Sequence, residues 1–242
     1  MKTLFIDMEW GQIYGSYRRH FILTEIGTVI YDPEQEEPLF EAKKFRHDVD
    51  IVIRKNIVDN VGKTIGFSEK VANIERGEYQ KKFNPNYRLN SSDKILVRRR
   101  AYKCLSELRQ YIHDLLKKHY IEQMVFFGGN EDLNLLHKAN IDISKVKVID
   151  IQRIICKEIR YLFSLDKISL IIEFYSSNKY FGSKHFRYKP PGHYKYLIKP
   201  HRAIGDACRI FLVYREFYGV KCDFVQQCNA HLNANKLNRG IS

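Results

Sequence analysis

Short apolar, β-branched runs alternate along this chain with stretches of helical periodicity. Thr3–Ile6, Phe21–Tyr31, Leu39–Phe45 and Met124–Phe127 are each bounded by polar or turn residues, which predicts strands. The first three read as consecutive strands of one sheet. Between Phe45 and Arg98 the periodicity fades and is interrupted by Gly62, Gly66, Gly77 and the turn signal Asn84-Pro85-Asn86, so short helices and loops are expected there. From Arg99 to His119 the spacing of Leu105, Leu108, Ile112, Leu115 and Leu116 predicts an amphipathic helix feeding the strand at Met124. Helices over Asp132–Ala139, Ile151–Leu162, Asp166–Phe174 and Ala203–Phe217, a strand Val146–Ile149 and a weaker helix after Cys222 complete the pattern. Strands first, then helices alternating with strands, predict an α/β chain with a mixed sheet covered by helices.

Composition narrows the class. With 242 residues, 44% hydrophobic and 29% charged, the chain can bury one sizeable core or two small ones, which excludes intrinsic disorder and a fibrous repeat. Its 41 Lys and Arg against 28 Asp and Glu leave +13, a surplus that points to a polyanionic partner, nucleic acid before a membrane surface. The apolar run after Lys2 is broken early by Asp7 and Glu9, and no run reaches the roughly 18 residues of a spanning helix. A soluble, cytoplasmic protein without a membrane partner is expected. Five scattered cysteines agree with reduced thiols.

One segment departs from the rest. Asn178–Pro200 has six Lys or Arg, six Tyr or Phe, two His and no acid, and is long for a loop.

Three acidic segments carry candidate chemistry. Asp7 and Glu9 sit two apart in a predicted strand, so their carboxylates share a face and repel; a hard divalent cation with oxygen ligands would relieve that. A solvated strand end would tolerate the same pair. Near the other end, His201 lies five residues before Asp206, about 140° away if both were helical, so a shared site requires His201 to precede the helix. Pro200 fits that arrangement. In Phe126-Phe127-Gly128-Gly129-Asn130-Glu131-Asp132 a strand ends and a helix opens, which puts Asp132 at the carboxyl edge of the sheet, where open α/β sheets place their sites. Each segment taken singly also reads as an ordinary strand end or helix start.

Together they resemble the DEDDh branch of the 3′→5′ exonucleases, the ribonuclease T or proofreading-exonuclease superfamily. Asp7-Met8-Glu9 matches its first motif, Asp132 after Gly128-Gly129 its second in the form found in the RNA-trimming subgroup, and His201-Arg202-Ala203-Ile204-Gly205-Asp206-Ala207 its third. Glu25-Ile26-Gly27 looks like the family's second strand. The resemblance implies a ribonuclease H-like mixed sheet flanked by helices, and an exonuclease domain over residues 1–220 followed by a C-terminal extension, 221–242. Residues 46–97 form an unaligned insert, and 178–200 a basic aromatic loop before the last motif helix. It further implies that Asp7, Glu9, Asp132 and Asp206 hold two divalent ions, Mg²⁺ or Mn²⁺, that His201 deprotonates the attacking water, and that a nucleoside 5′-monophosphate leaves from a 3′ end. Trp10-Gly11 stands where the family often carries Thr or Ser, so Trp10 joins the candidate nucleic-acid contacts.

Single-stranded RNA is expected over DNA, since aromatic residues suit stacking on unpaired bases and cations suit the backbone. Tyr180, Phe181, Phe186, Tyr188, Tyr194 and Tyr196 would stack, while Lys184, Arg187, Lys189 and Lys195 would track phosphates. A DNA proofreading or repair exonuclease and a non-catalytic nucleic-acid-binding module are the alternatives. Cys222, Cys228 and His231 could form a zinc half-site, although their spacing fits no common structural zinc pattern.

Overall fold

A computed structural model describes residues 1–13, 21–35, 37–45, 51–58, 64–71, 80–82, 91–172, 175–176, 179–180 and 202–239. The strands are β1 (Thr3–Ile13), β2 (Phe21–Tyr31), β3 (Leu39–Lys44), β4 (Ile51–Val58), β5 (Thr64–Val71), β6 (Gln80–Lys82), β7 (Gln123–Phe126), β8 (Lys147–Asp150) and the two-residue pair β9 (Tyr175–Ser176) and β10 (Lys179–Tyr180). The helices are α1 (Ser91–His119), α2 (Asn130–Lys138), α3 (Ile151–Ile159), α4 (Leu165–Ile171), α5 (Ala203–Gly219) and α6 (Lys221–Arg239).

The chain is mixed α/β, with a five-strand sheet β3-β2-β1-β7-β8 at its centre. β2 runs antiparallel to both its neighbours, β1 and β3, while β7 lies parallel to β1 and β8 parallel to β7. β1 is central because its apolar run is flanked on both edges: β2 along its length, β7 over Thr3–Phe5.

Alternation along β1 sends neighbouring side chains into two separate cores. Leu4, Ile6 and Met8 join Leu108, Ile112, Leu135 and Leu136 on the face covered by α1 and α2. Phe5 joins Val29, Val125, Phe211 and Phe217 on the face covered by α5. The Phe5 ring meets Phe211 and Tyr214 edge-on, with centroids 5.2 and 5.1 Å away. Full burial of such a side chain contributes about 2–3 kcal/mol, and this fixes α5 across the middle of the sheet. The segment read as a C-terminal extension supplies α6, whose Phe224 and Cys228 belong to the same core.

Two expectations are corrected. Among the described residues, Ile51–Val58, Thr64–Val71 and Gln80–Lys82 are successive antiparallel strands rather than the expected short helices and loops, and β4 pairs with β1 through Gln12 and Ile13. The β-branched runs Ile51-Val52-Ile53 and Ile57-Val58 carry local strand preference, which becomes a strand here through pairing with β5. Helix α1 begins at Ser91, not Arg99. Ile95 is exposed while Ala101 and Cys104 are buried, so the periodicity from Arg99 onward marks the packed part of the helix. Among the described residues no helix is long and apolar enough to cross a membrane.

Candidate metal centre

Asp7 and Glu9 follow Thr3 and Phe5 on the β1 face that meets α5. The ladder makes room for that helix at one residue. Asp7 pairs with Gly27 of β2, and a Cβ on Gly27 would lie 2.2–2.3 Å from backbone atoms of Ala203 and Ile204. Only glycine lets the first turn of α5 rest on the strand here. Asp206 sits in that turn, its N–H bonded to the Arg202 carbonyl at 2.9 Å. Helix and strand thereby bring together acids almost two hundred positions apart in the chain.

The ladder also shifts at this point. Glu9 pairs with Glu25 and Trp10 with Leu23, leaving Thr24 as the extra residue of a bulge. The Thr24 hydroxyl donates to the Glu9 carbonyl at 2.9 Å, which pins the strand at the acid it presents. Glu25, buried opposite Glu9, is met by Arg202 at 3.3 Å, so the like charges facing each other across the ladder are offset by the residue that introduces α5.

Asp132 arrives from the other face. After β7 the chain turns through Gly128 at φ +67, a conformation that suits glycine, and the Gly128 N–H donates to the Asp150 carboxylate at 3.0 Å. Helix α2 then opens, with Glu131 and Asp132 in its first turn, where the helix dipole favours acids.

The result is a cluster of carboxylates. One oxygen each of Asp7, Glu9 and Asp206 lies within 4.8 Å of the other two, an arrangement that could hold a metal ion. Burial pushes the Asp7 carboxyl well above the usual carboxylate range, and the charges of Asp206, Asp132 and Glu9 push the same way, while Arg209 opposes them. Asp132 is pushed up to about 7, again chiefly by burial, with backbone N–H groups of Asp132 and Met8 pulling back and Glu9 and Glu131 adding to the rise. Its Oδ1 is buried without a hydrogen-bond partner among the described residues. Asp7, Glu9 and Asp206 form a donor set suited to a hard cation, and Asp132, with an unsatisfied buried oxygen, is close enough for its charge to raise the Asp7 carboxyl.

No family model and no curated protein sequence matches the chain.

The remaining sequence-predicted residues divide as follows. His201, Phe181, Lys184, Phe186, Arg187, Tyr188, Lys189, Tyr194, Lys195 and Tyr196 lie outside the described residues, and Tyr180 is described only as backbone in β10. Trp10 is half-buried and packs against the apolar cluster on the α1 face. The zinc half-site fails: Cys222 is exposed while Cys228 lies fully inside the core, its thiol pushed up to about 12 by burial. Sequence reasoning missed Arg209, Asp166 and Arg202. A signal existed for the first, because Arg209 interrupts the apolar run Ala207-Cys208-Arg209-Ile210-Phe211 one helical turn after Asp206.

Proposed function

We propose that the protein is a metal-dependent 3′→5′ exonuclease acting on single-stranded 3′ ends, RNA in preference to DNA, and releasing nucleoside 5′-monophosphates. The observation that carries this reading is the convergence of Asp7 and Glu9 from β1 with Asp206 from α5, and the electrostatic reach of Asp132 from α2 into the same cluster. A module that only bound nucleic acid would gain nothing from crowding acids where a phosphate must approach. The sheet order, three antiparallel strands followed by two parallel ones, supports a ribonuclease H-like fold, and the +13 charge supports a polyanionic substrate.

In this reading Asp7, Glu9, Asp132 and Asp206 hold two divalent ions, Mg²⁺ or Mn²⁺. When bound, these ions supply an activated water and neutralise charge on the phosphate. Asp132 must give up its proton for the full set to ligate, so its carboxyl near pH 7 makes loading pH-dependent. His201, two positions before α5 begins at Ala203, is the proposed base: an imidazole titrates near working pH. The basic aromatic segment 178–200 is proposed to stack on unpaired bases and to track the backbone.

The test is incubation of the full chain with end-labelled RNA and DNA oligonucleotides, 3′-free or 3′-blocked, plus Mg²⁺ or Mn²⁺. Stepwise shortening of 3′-free RNA that stops with EDTA is expected. Metal-independent binding without cleavage would return the protein to the class of binding modules, and faster shortening of DNA would reassign the substrate.

A further inference from the structure

Arg209 is the largest fully buried side chain among the described residues, 1% exposed in a helix that is otherwise apolar around it. A guanidinium in such a place costs several kcal/mol to desolvate unless its donors are matched. Here they are matched by two acids. Nε donates to Asp206 Oδ1 at 3.1 Å and Nη2 donates to the same oxygen, while Nη1 donates to Asp166 Oδ1 at 2.5 Å. Asp166 comes from the first turn of α4, so the fork spans two helices.

The placement on Asp206 is specific. Two N–H groups of one rigid guanidinium converge on Oδ1 of an acid that also belongs to the carboxylate cluster, a charge-assisted contact with defined geometry. The planar fork restrains the carboxylate's rotation, something a point charge on a flexible stem does poorly. The far end of the fork is itself held, because Asp166 grips Nη1 and α4 packs against α5.

We infer that Arg209 is a positioning residue for the metal centre: it fixes the orientation of the Asp206 carboxylate within the acidic cluster, and Asp166 anchors it from α4. The inference rests on the metal-dependent reading above. It explains why a charge is kept at a position where leucine would pack at lower cost, and it gives α4 a direct mechanical link to the site. Partners that orient metal ligands typically change metal affinity by about 10–100-fold when altered.

The test uses the full chain, stripped of metal, and two variants. Arg209→Lys keeps the charge and loses the fork; Asp166→Asn keeps Arg209 and weakens its anchor at a half-exposed position where folding is tolerant. Mn²⁺ binding is followed by calorimetry or electron paramagnetic resonance, alongside kcat and KM on 3′-free RNA. Arg209→Lys is expected to weaken Mn²⁺ binding about tenfold or more and to lower kcat with KM little changed, and Asp166→Asn to shift both in the same direction by a smaller factor. If the lysine variant does not fold, Asp166→Asn decides alone. Folded variants that bind Mn²⁺ as the wild type does overturn the positioning role while leaving the metal reading intact. A wild type that takes up no Mn²⁺ overturns both.

Discussion

Asp206 and Asp132 reach one cluster from opposite faces of the sheet, under opposite electrostatic conditions. Asp206 comes with its own cation: Arg209 grips Oδ1 from one turn along the same helix. Asp132 comes with an unpartnered buried Oδ1 and a carboxyl pushed up to about 7. The difference assigns the two acids different parts. One is gripped by a guanidinium on its own helix, and the other is a buried carboxyl whose affinity for a proton is raised.

The largest effect expected from disturbing this balance is at Asp7, which feels both sides. If the chain is the proposed exonuclease, Asp7→Asn removes one of its metal ligands, and cleavage should fall by about three decades, the equivalent of the several kcal/mol of charge stabilisation that a bound metal provides. In the metal-free protein the same change removes a repelled carboxylate, and the melting temperature should stay level or rise. A large loss of stability with cleavage retained would make Asp7 a structural hydrogen-bond acceptor instead.

Next comes the pH dependence of the metal-free fold. The folded Asp132 carboxyl titrates near 7, against a reference of 3.8, so between these values the native state holds the proton more tightly than the unfolded chain does. Stability from this group is therefore present below about pH 4 and lost as pH rises through about 7, with Asp7 shifted in the same direction. For Asp132 the effect is on the order of a few kcal/mol, and Asp7 adds to it in the same direction. Urea unfolding of the EDTA-treated protein at pH 5 and pH 8 should show the loss, and Asp132→Asn should flatten it. Equal flattening by Asp206→Asn would erase the distinction between the two acids.

A smaller effect probes how the faces are joined. Gly27→Ala puts a methyl group against the backbone of Ala203 and Ile204, which cannot move aside as a flexible side chain could. A stability loss of about 1–3 kcal/mol is expected, together with weaker Mn²⁺ binding, because α5 carries Asp206 away from Asp7. Unchanged metal binding in a destabilised variant would mean that the helix start adjusts without disturbing the acids.

The part of this design that was legible in sequence is the part written in local pattern. The Asp7–Glu9 alternation, the Gly128-Gly129 turn before Asp132, and the position of Asp206 at the head of an apolar helix all follow from short windows. The five central strands were legible for the same reason, as their apolar runs are short and sharply bounded. What stayed hidden depends on pairing across the chain. β4, β5 and β6 owe their form to one another, Thr24 becomes a bulge only once β1 and β2 are in register, and Gly27 acquires its role when α5 lies on it. Arg209 stood out as a lone charge in an apolar run, but its second partner, Asp166, sits 43 positions earlier and only the packing of α4 on α5 joins them.

The central claim is that these acids exist to hold divalent cations, and the direct measurement is a Mn²⁺ titration of the metal-free wild type beside Asp7→Asn at pH 7.5. Saturable uptake by the wild type, accompanied by proton release and sharply weakened in Asp7→Asn, is the predicted result. Absence of uptake, or uptake that Asp7→Asn leaves unchanged, would contradict it.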